Sequence, residues 1–209
     1  MRIALTFDDG PNGEYTLETL RILKKHGIKA CFFFLGKNVE RLPEVALKTK
    51  QEGHLIGNHT YDHQHIADLT REQILLQIEK TEEIFSKILH IIPKFIRMPY
   101  GESNEIVEKI TKDKGYTLIG WDPRIEDHKK SSPEEIIEEV MEKVRCWEAV
   151  TVRRQEAAPT IGDGIVITLH DGANIRIGES RANTVKALPE IIRLLKNKGF
   201  EFVGLDQFF

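Results

Sequence analysis

The chain has 209 residues, 40% of them hydrophobic, with 30 basic and 33 acidic side chains for a net charge of −3. That composition suits a globular chain able to bury a sizeable core. It offers no electrostatic reason to expect a nucleic acid or an anionic membrane as partner. Two cysteines, Cys31 and Cys146, with no Cys-x-x-Cys argue against a disulfide scaffold or a thiolate zinc site. Met1-Arg2-Ile3 leads straight into a strand-like run, and no apolar run approaches membrane-spanning length. The expectation is a cytoplasmic protein as the sequence stands, or an extracellular one if it is a trimmed piece of a longer chain.

Strand-like and helical runs alternate from one end to the other. The strand candidates are Ile3–Phe7, Ala30–Leu35, Leu55–Asn58, Phe95–Met98, Thr117–Trp121, Ile165–Leu169 and Phe202–Leu205. Helical segments fall near Thr16–Lys25, Pro43–Gln51, Arg71–Ile88, Glu105–Lys114, Pro133–Lys143 and Thr184–Lys198. Thr70-x-x-Gln73 and Ser132-x-x-Glu135 read as capping boxes, with Pro133 at a first helical position. Gly27, Gly53, Gly115 and Gly199 each follow a helical run and precede a strand, the place of a left-handed cap. Pro189 is expected to kink the last helix or divide it. Arg145–Asp163 is long for a connection and mixed in character, so a structural or oligomer-contact role is expected of it, on the face opposite the active site.

Repeated β-α units mean a mostly parallel sheet. No glycine-rich phosphate loop follows any strand, and polar residues gather after five different strands. Residues spread over many strand ends are the barrel arrangement. The expected fold class is α/β, an irregular seven-stranded (β/α) barrel that is TIM-barrel-like, with an open sheet as the alternative.

The first strand ends in Asp8-Asp9-Gly10-Pro11. Adjacent residues at a strand end point in different directions, so one carboxylate can bind a cation while the other handles a proton. After the third strand come Asn58-His59-Thr60-Tyr61-Asp62-His63. Two histidines at this spacing share one side of a helical turn and, with a carboxylate, make a common facial site for a divalent cation. Asn58-His59-Thr60 also spells a glycosylation sequon, discounted because a candidate ligand sits in its middle. Arg97-Met98-Pro99-Tyr100-Gly101 offers an arginine that could clamp a carboxylate and a Tyr100 N–H that could serve an oxyanion. After the fifth strand, Trp121-Asp122-Pro123-Arg124-Ile125-Glu126-Asp127-His128 is read either as a solvated loop or as part of a site. His170, at the end of the apolar Thr168-Leu169 strand, is poorly placed for core packing and well placed for catalysis.

Taken together and in this order, these stretches resemble the polysaccharide deacetylases, the NodB-homology domain of carbohydrate esterase family 4. Thr6-Phe7-Asp8-Asp9-Gly10-Pro11, the His59/His63 pair and Leu169-His170-Asp171-Gly172 carry the resemblance, which spans nearly the whole chain. It implies one NodB-homology domain over residues 1–209 and a metal-dependent hydrolase. The expected reaction removes N-acetyl groups from N-acetylglucosamine-containing glycans, of chitooligosaccharide or peptidoglycan type. By resemblance, Asp9, His59 and His63 would hold one divalent ion, zinc being expected and cobalt, manganese or nickel being alternatives. Asp8 would be the general base and Arg97 its partner. His170 would be the general acid and Asp127 its partner. Tyr100 would supply the oxyanion N–H, and Leu169 would line the acetyl pocket. Where the family usually has Trp after the tuning Asp, this chain has His128, so Trp121 is the substitute candidate for the pocket wall, which is otherwise more polar and open. That departure keeps an O-acetyl esterase or a cyclic-amide hydrolase in view. A glycoside hydrolase using Asp8 and Asp127 and a non-catalytic glycan-binding barrel are the remoter readings.

Overall fold

The structure is a computed structural model of the full chain, and it describes residues 1–121, 123–154, 164–173 and 178–209. Asp122 and residues 155–163, on which parts of the sequence reading fall, lie outside the described residues.

Seven parallel strands form one curled sheet in the order β5-β4-β3-β2-β1-β6, with β7 also paired to β1. They are β1 (Arg2–Asp8), β2 (Cys31–Phe34), β3 (Leu55–Asn58), β4 (Phe95–Ile96), β5 (Thr117–Leu118), β6 (Gly164–His170) and β7 (Glu201–Phe202). Each matches an expected strand to within a few residues. The register of β1 against β6 runs from Arg2↔Gly164 to Asp8↔His170. β2 takes the other edge of β1 at its C-terminal end, from Thr6↔Cys31 to Asp8↔Phe33. β7 takes that same edge lower down, at Arg2↔Glu201 and Ile3↔Phe202. Among the described residues no ladder joins β5 to β6, which makes the barrel irregular.

The two faces of the sheet follow from the two-residue strand period. Ile3, Leu5 and Phe7 of β1, Phe32 and Phe34 of β2, and Ile165, Ile167 and Leu169 of β6 face the helices and form the main core. The alternate set faces inward: Ala4, Cys31, Phe33 and Phe95, with Val166 against them. Cys31 is buried among these, as its apolar setting suggested. The interior leaves no room for one more side chain at β3, since a Cβ on Gly57 would lie 2.5 Å from the Phe33 ring.

The helices are α1 (Gly13–His26), α2 (Gly36–Arg41), α3 (Pro43–Gln51), α4 (Arg71–Ile84), α5 (Glu105–Asp113), α6 (Pro133–Arg154) and α7 (Ala182–Asn197). A π turn over Phe85–Leu89 carries the α4 run to its expected end. Gly27, Gly53, Gly115 and Gly199 all adopt positive φ, as the cap reading required. The Thr70 capping box is complete. At Ser132, Glu135 N–H donates to the hydroxyl, but the Glu135 side chain turns to Ser131.

Three expectations change. Pro189 lies inside α7 without dividing it. The apolar face of α7, with Ala187, Leu188, Ile191, Ile192 and Leu195 fully buried, outweighs the roughly 3 kcal/mol that an interior proline costs. Residues 145–154 are no connection but the last turns of the 22-residue α6. Ile136, Val140 and Val144 are buried there and Trp147 packs against the same core, one stripe continued past the expected end. The short α2 was not anticipated. No helix among the described residues is long and apolar enough to cross a membrane.

Candidate active site

The C-terminal ends of β1, β3, β4 and β6 converge, and their buried polar residues meet there. Asp9 follows β1 in a left-handed conformation, φ 69°. That turn swings its carboxylate away from Asp8 and towards His59 and His63. Asp9 Oδ1 lies 3.4 Å from His59 Nε2 and 3.2 Å from His63 Nε2. Asp9 Oδ1 and His59 Nε2 are buried with no hydrogen-bond partner. Ligand atoms bound at about 2.0–2.1 Å around a tetrahedral zinc ion stand about 3.3 Å apart, so this donor set fits a small divalent cation.

The tautomer agrees. His59 Nδ1 lies 2.7 Å from the Arg97 carbonyl oxygen, an acceptor only. Nδ1–H therefore donates, and in the neutral ring that tautomer puts the lone pair on Nε2, facing Asp9. Burial pushes the pKa of His63 down to about 4 despite the nearby Asp9, which leaves it neutral and able to ligate. Burial would raise the pKa of Asp9, but the neighbouring imidazoles of His59, His63 and His170 hold it well below the usual carboxylate range. The two histidines do not share a helical turn, contrary to expectation. They sit in a loop after β3 in which Thr60 and His63 both have positive φ. Asn58 Oδ1 stabilises that loop by accepting from Thr60 N–H at 2.8 Å.

Asp8 points into the barrel and is fully buried. Arg97 Nη1 donates to Asp8 Oδ1 at 2.7 Å, and Trp121 Nε1 donates to Asp8 Oδ2 at 3.0 Å. Asp8 Oδ2 lies 4.0 Å from His59 Nε2, beside the donor set. Arg97 has no exposed surface. It also donates to Thr6 Oγ1 at 2.9 Å and lies over the Phe33 ring at 4.2 Å. The expected arginine clamp is thus present, although one nitrogen makes the bond. Trp121, expected as a pocket wall, holds the second oxygen of Asp8.

His170 stands directly across the ladder from Asp8. Its Nδ1 lies 2.6 Å from Asp127 Oδ1, and its backbone N–H donates to Asp127 Oδ2 at 2.9 Å. Thr184 Oγ1 on α7 donates to the same Oδ2 at 2.8 Å. Burial opposes charge on His170, but Asp127 outweighs it and the pKa is pushed up to about 9. Burial likewise raises Asp127, and His170 overcomes it, so Asp127 stays ionised. Asp127, His128 and His170 form a second cluster of metal-ligating types. Its 2.6 Å contact is a hydrogen bond, too short for two atoms on one ion. Asp127 thereby joins the end of β6 to the start of α7.

Tyr100 lies beside the donor set, its ring centroid 4.5 Å from that of His63 and 3.6 Å from that of His65. Its backbone has positive φ. Leu169 is brought elsewhere. Strand alternation turns it away from His170 into the helix-facing core, and Thr168 shares the inward face instead, hydrogen-bonded to Thr6 Oγ1 at 3.2 Å. His128 is exposed at the mouth, 4.6 Å from His170 between ring centroids.

Sequence reasoning missed several supports. Asn38 of α2 donates to the Asp9 carbonyl at 2.8 Å. Gly172 approaches the Asp9 backbone so closely that no Cβ would fit. Asp171 is wholly buried, and burial pushes its pKa up to about 7 against the Thr16 hydroxyl that donates to it. Thr6 belongs to the first motif but was given no role, and Thr184 is unremarkable in sequence. Only their place on an inward strand face or a helix start could have drawn attention to them.

Comparison with known proteins agrees with this architecture. The family described as polysaccharide deacetylase matches residues 1–119, and the chain belongs to that family. A peptidoglycan-N-acetylglucosamine deacetylase of Bacillus cereus is 37% identical over 207 residues, covering 99% of this chain and 68% of that protein. A chitooligosaccharide deacetylase of Azorhizobium caulinodans is 29% identical over 209 residues, covering 95% of this chain and 90% of that protein. Among solved structures, the Bc1960 peptidoglycan N-acetylglucosamine deacetylase in complex with 4-naphthalen-1-yl-N-oxidanyl-benzamide superposes with a TM-score of 0.81. It is 36% identical and is matched over 100% of this chain and 87% of that one.

Proposed function

We propose that residues 1–209 act as one catalytic unit, a metal-dependent hydrolase that removes N-acetyl groups from N-acetylglucosamine-containing glycans. The relatives named for peptidoglycan and chitooligosaccharide deacetylation support that substrate class. The observation that carries the chemistry is the pairing of Asp8 with His170 across neighbouring strands, beside three donor atoms, Asp9 Oδ1, His59 Nε2 and His63 Nε2, that face each other at 3.2 to 3.4 Å.

Asp9, His59 and His63 hold one divalent ion, zinc being the best match to a neutral-imidazole and carboxylate set. Such an ion lowers the pKa of water towards about 7 and polarises the acetyl carbonyl. Asp8 takes a proton from the attacking water, with Arg97 and Trp121 keeping the carboxylate aimed. The Tyr100 N–H donates to the developing oxyanion. His170, held protonated by Asp127, gives its proton to the departing amine, which would otherwise be a poor leaving group. Acetate and a free amino sugar result, and the proton taken by Asp8 balances the one given by His170.

A second reading rests on His128. An exposed imidazole at the mouth, in place of an aromatic wall, leaves room for O-acetyl esters or cyclic amides on the same chemistry. A glycoside hydrolase is disfavoured because both oxygens of Asp127 already accept hydrogen bonds and its proton affinity is low.

The test is mass spectrometry of N-acetylglucosamine oligomers incubated with chelator-stripped and zinc-restored protein. Loss of one acetyl mass only after restoration is expected. Acetyl loss from stripped protein would overturn the metal role. No loss with zinc bound would overturn the substrate, and O-acetylated sugars would be assayed next.

A further inference from the structure

The two imidazoles facing Asp9 are carried on a loop, and every polar backbone group of that loop needs a partner. Two of its carbonyls are met by backbone. Gly36 N–H donates to Thr60 O and Lys37 N–H to Tyr61 O, each at 3.0 Å. The three amides between the histidines are met by side chains. Asn58 Oδ1 takes Thr60 N–H, and a single oxygen on α4 takes the next two. Gln77 Oε1 accepts from Tyr61 N–H at 3.0 Å and from Asp62 N–H at 3.2 Å. These are the residues that separate the two histidines from one another.

The loop has reason to need this. Thr60 and His63 have φ of 68° and 66°. Residues other than glycine hold such angles only where surrounding contacts impose them. Gln77 itself has a firm base. Ile74 and Ile78 on either side of it are buried in the cluster with Ile96 and Met98. Asn58 Nδ2 donates to Ile78 O at 3.2 Å, tying the same helix turn to the start of the loop. A carboxamide oxygen has two lone pairs and so can take both N–H groups without adding charge near the donor set.

We propose that Gln77 is a positioning residue for the metal: its carboxamide oxygen sets the curvature of the 59–63 loop and so holds His59 and His63 at ligating distance from Asp9. This rests on the metal-dependent reading above, and its test separates the two. Zinc and cobalt affinities of the stripped full-length chain are measured by competition with a chromophoric chelator. Gln77→Leu removes the acceptor and keeps a good helix former; it is expected to weaken zinc by about 10- to 100-fold, the usual scale for losing an outer support of a ligand. Gln77→Glu keeps an acceptor oxygen and is expected to stay within about threefold of the parent chain. The visible spectrum of the cobalt-loaded protein is expected to change in Gln77→Leu and to be preserved in Gln77→Glu. In the unaltered metal-free chain, the amides of Tyr61 and Asp62 are expected to exchange slowly with solvent. That measurement decides the matter even if Gln77→Leu does not fold. Zinc binding by Gln77→Leu as tight as the parent's, or exchange of the two amides at free-loop rates, would overturn the proposal. A parent chain that binds neither zinc nor cobalt would overturn it together with the metal reading. Tight zinc binding without acetyl release would overturn only the deacetylase reading, and the affinity difference between the variants would still support the role of Gln77.

Discussion

The two sides of the site are built from the same residue types, aspartate and histidine, yet differ in one respect. On the side of β1 and β3, Asp9 stands 3.2 to 3.4 Å from two imidazole nitrogens, and its Oδ1 and His59 Nε2 have no partner. On the side of β6, Asp127 and His170 are joined at 2.6 Å, and every carboxylate oxygen is used. The first spacing suits an ion between the groups, and the second suits a proton. Burial acts alike on both sides, so the backbone around each pair makes the difference. A left-handed turn at Asp9 and a strained loop at His59–His63 hold the first set apart. The straight end of β6 and the hydroxyl of Thr184 hold the second together.

The largest effects should come from breaking the metal side. Asp8→Asn is expected to cut turnover by about 10²- to 10⁴-fold, the scale of a lost general base, while zinc stays bound. Asp9→Asn is expected to lose zinc as well. Metal content and turnover measured on the same samples check this, and the opposite pattern would exchange the roles of the two acids.

Breaking the proton side should act through pH. The pKa of His170 is raised from 6.5 to about 9. The pair therefore contributes stability in full below pH 6.5 and loses it as pH rises through about 9. Activity that needs the protonated form falls over that same upper limit. Asp8 and Asp9 also help to raise this pKa, and zinc beside Asp9 would offset their charge. The NMR titration of His170 is expected to move down on zinc loading. Asp127→Asn should move it further and shift the alkaline limb of kcat/KM to lower pH. An unmoved limb would remove Asp127 from its assigned role.

The smallest effect sharpens the comparison. Thr184→Val deletes one of three hydrogen bonds to Asp127 and keeps the shape. Turnover is expected to fall by no more than about tenfold, the scale of one hydrogen bond, with zinc affinity unchanged. A change in zinc affinity would mean that the two sides are coupled.

The strand plan and most of the site were legible in the residues because they obey local rules. Glycine past a helix marks a left-handed cap, alternation marks a two-faced strand, and an Asp-Asp or a histidine at a strand end is badly suited to a core. The extent of α6 was written in the stripe from Ile136 to Trp147, but the mixed character of Arg145–Asp163 hid it. Leu169, assigned to the acetyl pocket by resemblance, is where the local rule corrects the expectation. Its neighbour His170 faces inward, so the two-residue period sends Leu169 to the helices.

What the chain determined by itself is the order of its β and α units, the positions of its caps, and which polar residues end up at strand ends, since all of these depend on near neighbours. The tertiary structure decided the rest. It set Asp8 against His170 by the register of two strands more than 150 residues apart in sequence. It gave the Trp121 Nε1–H to Asp8 Oδ2. It placed Thr184 and Gln77, from helices that carry no motif, against the groups that do. Hydrogen bonds between distant segments depend on how elements pack, and no local pattern encodes a distance across a barrel.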